Sequence, residues 1–195
     1  LDFEYLESTV ITQYNIDFQI VVDHQIKNGN PKADGAGRNS ATREEVAYYL
    51  NPLNFPEGTP GYFQFLLIDR PTNISAKELN EKFLQNSGTL TNQGQAFVDV
   101  SRLYGINELY LISHTKHETS NGTSPLASGT SRWTLTEPGS CKVVTDSEGN
   151  PVVMDISPKK VYNMYGVGAY DNCAENAGFS YAYRAGWFTP YDAIV

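Results

Sequence analysis

The sequence predicts an α+β fold, mainly α, with a small β lobe set into a helical domain. Three observations carry this. Helix-start chemistry recurs along the first part of the chain, each time ahead of apolar residues at helical spacing. The stretch 130–160 then changes to short apolar runs parted by turn sequences. Between them lies INELYLISHTKHETSNGTSPLASG (106–129), which reads as a helix running into a Gly/Ser/Asn-rich loop.

The elements follow in order. Asn15 caps a helix reaching Asn28, Asp17 favours its first turn and Gly29 ends it. Residues 28–39 are polar and broken by Gly and Pro, hence a loop. Within Ser40–Leu50, Thr42 and Glu45 form a capping box before Val46, Ala47, Tyr49 and Leu50. Prolines 52, 56 and 60 make the next stretch irregular. Tyr62–Ile68 is apolar, and periodicity leaves strand and buried helix both open. Ser75 and Glu78 form a second capping box, opening a helix through Leu79, Phe83 and Leu84 that stops by Gly88. Gly94–Tyr104 is a further helix. Ala96, Val100 and Leu103 make one face, Phe97, Val100 and Tyr104 an overlapping one, and Gly105 stops it.

The next helix carries the chemistry. Asn107 is its N-cap, and Glu108 suits its positive end. Leu109, Tyr110, Leu111 and Ile112 point all round, whereas Ser113 to Glu118 are polar all round. Amphipathicity along the axis predicts a core helix whose last turn emerges into a cleft. Glu118 then sits at the negative helix end, one face-repeat after Leu111, and both surroundings disfavour its ionised form. A carboxylic acid held protonated donates its proton to a leaving glycosidic oxygen. A solvated surface carboxylate is the plainer reading of the same pattern.

In the β lobe, Trp133–Leu135, Lys142–Thr145 and Val152–Met154 read as short strands, separated by turns at 137–139 and 146–150. Phe179–Trp187 reads as helical up to Gly186. Thr189 with Pro190 launches another helix. Six residues make little helix, so the domain is expected to continue past Val195.

A chain of 195 residues with 40% hydrophobic and 12% aromatic content suits one domain with a packed core. A formal charge of −8 argues against nucleic acid as a partner. No run of 18 apolar residues is present to span a membrane. The chain starts at Leu1 and reads as a mature or excised piece. Cys141 and Cys173 allow one disulfide or two free thiols. His24, His114 and His117 make no zinc signature, and no third ligand joins His114 and His117, so no metal is expected. Gly166 and Gly168 lack the Lys of a phosphate loop, so neither nucleotide nor other cofactor is expected.

Three stretches together resemble the glucosaminidase domains of bacterial cell-wall autolysins, glycoside hydrolase family 73. They are NELYLISHTKHETSNGTSPLASG (107–129), VYNMYGVGAYD (161–171) and YAYRAGWFTP (181–190). SATREEVAYYLNPLNF, YFQFLLID and NQGQAFVDVSRLYGIN, upstream, are similar too. The resemblance implies a lysozyme-like fold, a helical lobe and a small β lobe flanking a substrate groove, with residues 1–195 as a single glucosaminidase domain. It implies hydrolysis of the β-1,4 bond after N-acetylglucosamine in peptidoglycan glycan strands, by a secreted protein at the bacterial cell wall.

Glu118 falls where the family places its general acid. Asn163, Tyr165, Gly166, Tyr170 and Asp171 match the second motif, beside that acid. Asp171 ranks first as second carboxylate, ahead of Glu137, Asp146, Glu148 and Asp155 in the β lobe. Tyr170 is placed to orient the substrate or stabilise positive charge. Retaining, inverting and acetamido-assisted routes all stay open. Tyr165, Tyr170, Trp133 and Trp187 are candidates to stack on sugars, with core packing the plainer reading for Trp187. The insertion between Gly129 and Val161 is longer than in the shortest members, and Cys141 within it can pair with Cys173. A muramidase, a lytic transglycosylase and a non-catalytic glycan-binding domain are the rival readings.

Overall fold

A computed structural model describes residues 10–195, and the chain divides into two compact units, Leu1–Leu66 and Leu67–Val195. In the first unit, helix α1 (Phe18–Gly29) packs on α2 (Arg43–Leu50). Asp17, not Asn15, is the N-cap of α1, its carboxylate accepting from the Gln19 N–H at 2.7 Å, and left-handed Asn30 ends the helix. The capping box of α2 is closed: Thr42 N–H donates to Glu45 at 2.7 Å and Glu45 N–H to Thr42 Oγ1 at 3.2 Å. Arg43 pairs with Asp23 of α1. Neither a strand nor a buried helix forms at 62–68. Pro60 launches a 3-10 turn, Pro60–Phe65, that leaves Phe63 exposed while Phe65 meets Phe55 edge-on.

The second unit holds α3 (Ala76–Lys82), α4 (Gly94–Tyr104), α5 (Glu108–Glu118), α6 (Pro125–Ser128), strands β1 (Arg132–Thr134) and β2 (Val153–Asp155), and α7 (Ala174–Ala185). Helix α3 is shorter than its sequence suggests. The Glu78 carboxylate bonds Lys82 at 2.6 Å instead of closing its box, and the helix ends at Phe83. The bounds of α4 are as expected, but Leu103 and Tyr104 are exposed because its last turn runs beyond the core. Its buried side is Ala96, Phe97, Val98, Val100 and Ser101.

The main core gathers Leu79, Leu84, Leu90, Phe97, Ile112 and Met164, with Ala193 and Ile194 from the last turn of the chain. A second cluster, Trp133, Val161, Phe179 and Ala182, fastens the β lobe to α7. Strands β1 and β2 pair antiparallel, with Trp133 opposite Met154. The strand expected at 142–145 is reduced to isolated bridges, Thr136 to Val143 and Thr145 to Pro151. The turns on either side leave it too short for a continuous ladder. Helix α7 starts five residues before Phe179, at Ala174.

Candidate active site

Helix α5 is anchored at both ends. The Asn107 side chain accepts from the N–H groups of Leu109 and Tyr110 at 2.9 and 3.2 Å, and its own amide donates to Leu67 O at 2.9 Å. Glu108 is only 1% exposed. Its carboxylate accepts from Thr72 N–H at 2.8 Å, Ile74 N–H at 3.1 Å and Ser101 Oγ at 3.2 Å. Burial pushes this carboxyl up, but the N–H groups of Thr72 and Ile74 outweigh it, and Glu108 lies below the usual carboxylate range.

Burial runs around α5, not along it as the axial split predicts. Glu108, Ile112, Thr115 and the cap Thr119 are buried, whereas Tyr110, His114 and Glu118 are exposed. The two threonines go inside because each hydroxyl donates to the carbonyl one turn back, Thr115 to Leu111 at 2.7 Å and Thr119 to Thr115 at 2.6 Å. A threonine bonded this way presents its methyl to the core. The apolar surroundings expected for Glu118 are therefore absent: Leu111 packs against the core, and Glu118 stands exposed as the last residue of α5.

The loop after Glu118 is tightly held. Thr119 Oγ1 accepts from Gly122 N–H at 2.8 Å, and Asn121 Nδ2 donates to Asn86 O at 3.1 Å. Gly122 has φ 77°, and a Cβ there would lie 2.1 Å from Ser87 O. Only glycine permits that approach and that dihedral together. Glu118 thus sits on a fixed frame with its side chain outward.

The 161–171 motif packs against α5 through Tyr165. Its phenol oxygen lies 3.0 Å from Thr115 Oγ1. Since Thr115 gives its one hydrogen to Leu111 O, Tyr165 is the donor. Burial pushes the Tyr165 phenol up. Asn163 is buried, with its amide donating to Val167 O and Gly178 O at 2.9 and 3.0 Å and accepting from Val167 N–H at 3.0 Å. Gly166, with φ 62°, turns the chain, and a Cβ there would lie 3.9 Å from the Ala169 Cβ. Tyr170 and Asp171 are exposed, and Cys173, just after them, is disulfide-bonded to Cys141 of the β lobe.

Comparison with known proteins decides the family. The chain is 41% identical over 192 residues, 98% of its length, to a β-N-acetylglucosaminidase of Bacillus subtilis. It is 44% identical over 155 residues, 80% of its length, to the bifunctional autolysin of Staphylococcus aureus. The crystal structure of a major bifunctional autolysin superposes with a TM-score of 0.70 at 33% identity, covering 92% of this chain and 66% of that one. The chain belongs to the autolysin glucosaminidase family. It spans 19% of the Bacillus protein and 11% of the staphylococcal one. No family model matches the chain.

In this glucosaminidase relative the remaining candidates fall into separate places. Tyr170 lines a cavity of about 500 Å³ with Glu137, Gly139, Tyr181 and Arg184. Trp133 is buried, its Nε1 donating to Ser180 Oγ at 3.2 Å, and borders a second cavity of about 290 Å³ with Arg132 and Glu175. Glu118 lines neither of these two cavities. Trp187 packs against both cores, as the plainer reading had it.

Among the β-lobe acids, Glu137 is paired with Lys142 at 2.6 Å. Asp146 accepts from the N–H groups of Glu148 and Asn150, and Asp155 from Ser157. These bonds hold both aspartates below their usual range. Asp146 and Asp155 thus serve their own turns. Among the described residues no three His, Cys, Asp or Glu gather as a metal site, and no helix is long and apolar enough to cross a membrane. Tyr110 and His114, which the sequence reading does not place among the substrate-binding residues, precede Glu118 at the spacing 110, 114, 118, one turn apart on a single helix face.

Proposed function

We propose that this chain hydrolyses the β-1,4 bond after N-acetylglucosamine in peptidoglycan glycan strands, outside the cell at the bacterial wall, with Glu118 as general acid. The observation that carries it is a carboxyl group presented at the end of α5 on a frame locked by Thr119 and Gly122, in a chain 41% identical to a β-N-acetylglucosaminidase. An acid on a rigid helix end meets the glycosidic oxygen without reorganisation, and protonating that oxygen lets the bond break through an oxocarbenium-like state. Tyr165, bonded to Thr115, is the first substrate contact beside it, with the turn at Gly166 next to it. Asn163 and Trp133 act from behind, Asn163 by holding the motif loop and Trp133 by holding the β lobe. Tyr170 and Asp171 approach the sugar from the far end of the motif. Asp171 supplies the second carboxylate, or leaves that step to the sugar's own acetamido group. The whole chain, with 130–160 as its β lobe, is the catalytic domain in this reading.

Glu118→Gln tests the assignment. It keeps the fold and removes nearly all lysis of purified walls; a variant that lyses at the wild-type rate overturns the role of Glu118. Borohydride reduction of the products tests the bond. Reduced glucosamine at new ends supports a glucosaminidase, reduced muramic acid a muramidase, and anhydro-muramyl ends a transglycosylase.

A further inference from the structure

The exposed face of α5 is aromatic where it approaches Glu118. Tyr110, His114 and Glu118 follow at four-residue intervals, hence on one face, and span about 12 Å along the axis. The Tyr110 and His114 rings are stacked, with centroids 6.0 Å apart and planes 11° from parallel. His114 is stacked in turn with Tyr165, at 6.4 Å and 17°. The three rings thus share nearly one orientation. Tyr165 is fixed by its bond to Thr115, so the row is tied to the motif as well as to the helix.

Tyr110 and His114 are not needed to fill the core, whereas Tyr165 packs against it. The buried face of α5 is complete with Ile112, Thr115 and Thr119, and Tyr110 remains 41% exposed. Such a surface suits an uncharged partner with flat apolar faces and a few polar edges. Pyranose rings offer C–H groups to the negative faces of aromatic rings. Their acetamido and hydroxyl groups can reach the Tyr110 phenol and the His114 nitrogens.

We propose that Tyr110 and His114, continued by Tyr165, form a stacking platform for N-acetylated amino-sugar rings of the glycan strand away from the bond being cleaved. Tyr165 already belongs to the second motif; Tyr110 and His114 are the new members. The platform rests on the reading of Glu118 given above. It adds binding for long strands, and the reacting sugars never touch Tyr110.

Titration calorimetry with N-acetylglucosamine oligomers of increasing length, in the non-hydrolysing Glu118→Gln background, tests this. Tyr110→Ala should weaken binding of the longest oligomers about tenfold while leaving the disaccharide unaffected. Tyr110→Phe, which keeps the ring, should retain most of the affinity. His114→Ala should act in the same direction as Tyr110→Ala. Affinities unchanged by Tyr110→Ala at every length, or no length-dependent binding in the background protein, overturn the platform. Wall lysis by Glu118→Gln itself reports separately on the catalytic reading, so the two failures are distinguishable.

Discussion

The hydroxyls of Thr115 and Tyr165 lie 3.0 Å apart and join α5 to the 161–171 motif. Tyr165→Phe removes the donor and leaves the ring. It should cost about 1 kcal/mol in urea unfolding. Thr115→Val should cost about 1–3 kcal/mol, since it strands a half-buried phenol. Both variants should lower the rate of wall lysis, because the motif loses its tie to the helix that carries Glu118. Equal stability of wild type and Thr115→Val would contradict this geometry.

Glu108 ties Thr72, Ile74 and Ser101 to the start of α5. Its carboxyl is depressed in the folded state, so its contribution is present above the unfolded value, about 4.3. That contribution is lost as pH falls through the folded value. Glu108→Gln sets an amide NH2 against one of two buried N–H donors. It should cost about 2–3 kcal/mol near neutral pH, and the penalty should shrink on acidification below about pH 4. Denaturant midpoints measured from pH 7 downward check both the size and the sign.

Much of the frame is legible in sequence because its signals are local. The Thr42–Glu45 box and the bounds of α4 need nothing beyond neighbouring residues, and both hold. The burial of Glu108 is not legible, since its two backbone donors come from 36 and 34 residues upstream. Thr115 and Thr119 read as polar by composition yet bury, because back-bonding to the previous turn hides their hydroxyls. That reversal turned a helix split along its axis into one split around it. It also exposed Tyr110, which a hydropathy reading places inside. Of the candidate site, Glu118 is legible as a helix-end acid and Tyr165 as a motif residue, but the stacking of His114 on Tyr165 is a product of packing.

The bond between Cys141 and Cys173 crosses 32 residues and links the β lobe to the end of the second motif. Closing a loop of that length stabilises by about 3–4 kcal/mol in the chain-entropy account. Replacing both cysteines by serine should lower stability by about that much, and wild type in reductant should behave likewise. The cavity walled by Gly139 and Tyr170 lies beside this bridge. Exchange of the Tyr170 and Asp171 amides should therefore quicken in the double variant, while that of α4 changes only with global stability. Unchanged exchange at the motif would show that the bridge does not hold it.

Gly122 offers the sharpest test of the frame beneath Glu118. Its φ is 77°, and an added Cβ would stand 2.1 Å from Ser87 O, a backbone atom that has no rotamer to yield. Gly122 O also accepts from the Thr89 N–H at 3.0 Å and the Thr89 hydroxyl at 3.0 Å, so the two segments have nowhere to part without losing bonds. Gly122→Ala should cost about 3–5 kcal/mol, through strain and clash together. Gly149 provides the control: its φ is 87°, but nothing lies within 4 Å of a Cβ there. Gly149→Ala should therefore cost only the backbone strain, about 1–2 kcal/mol. Lysis per folded molecule should fall in Gly122→Ala, because relieving the clash displaces the loop that begins one residue after Glu118. It should be unchanged in Gly149→Ala. If both variants lose stability equally and both keep full lysis, left-handed strain alone accounts for Gly122, and the position of Glu118 does not depend on the 87–122 contact.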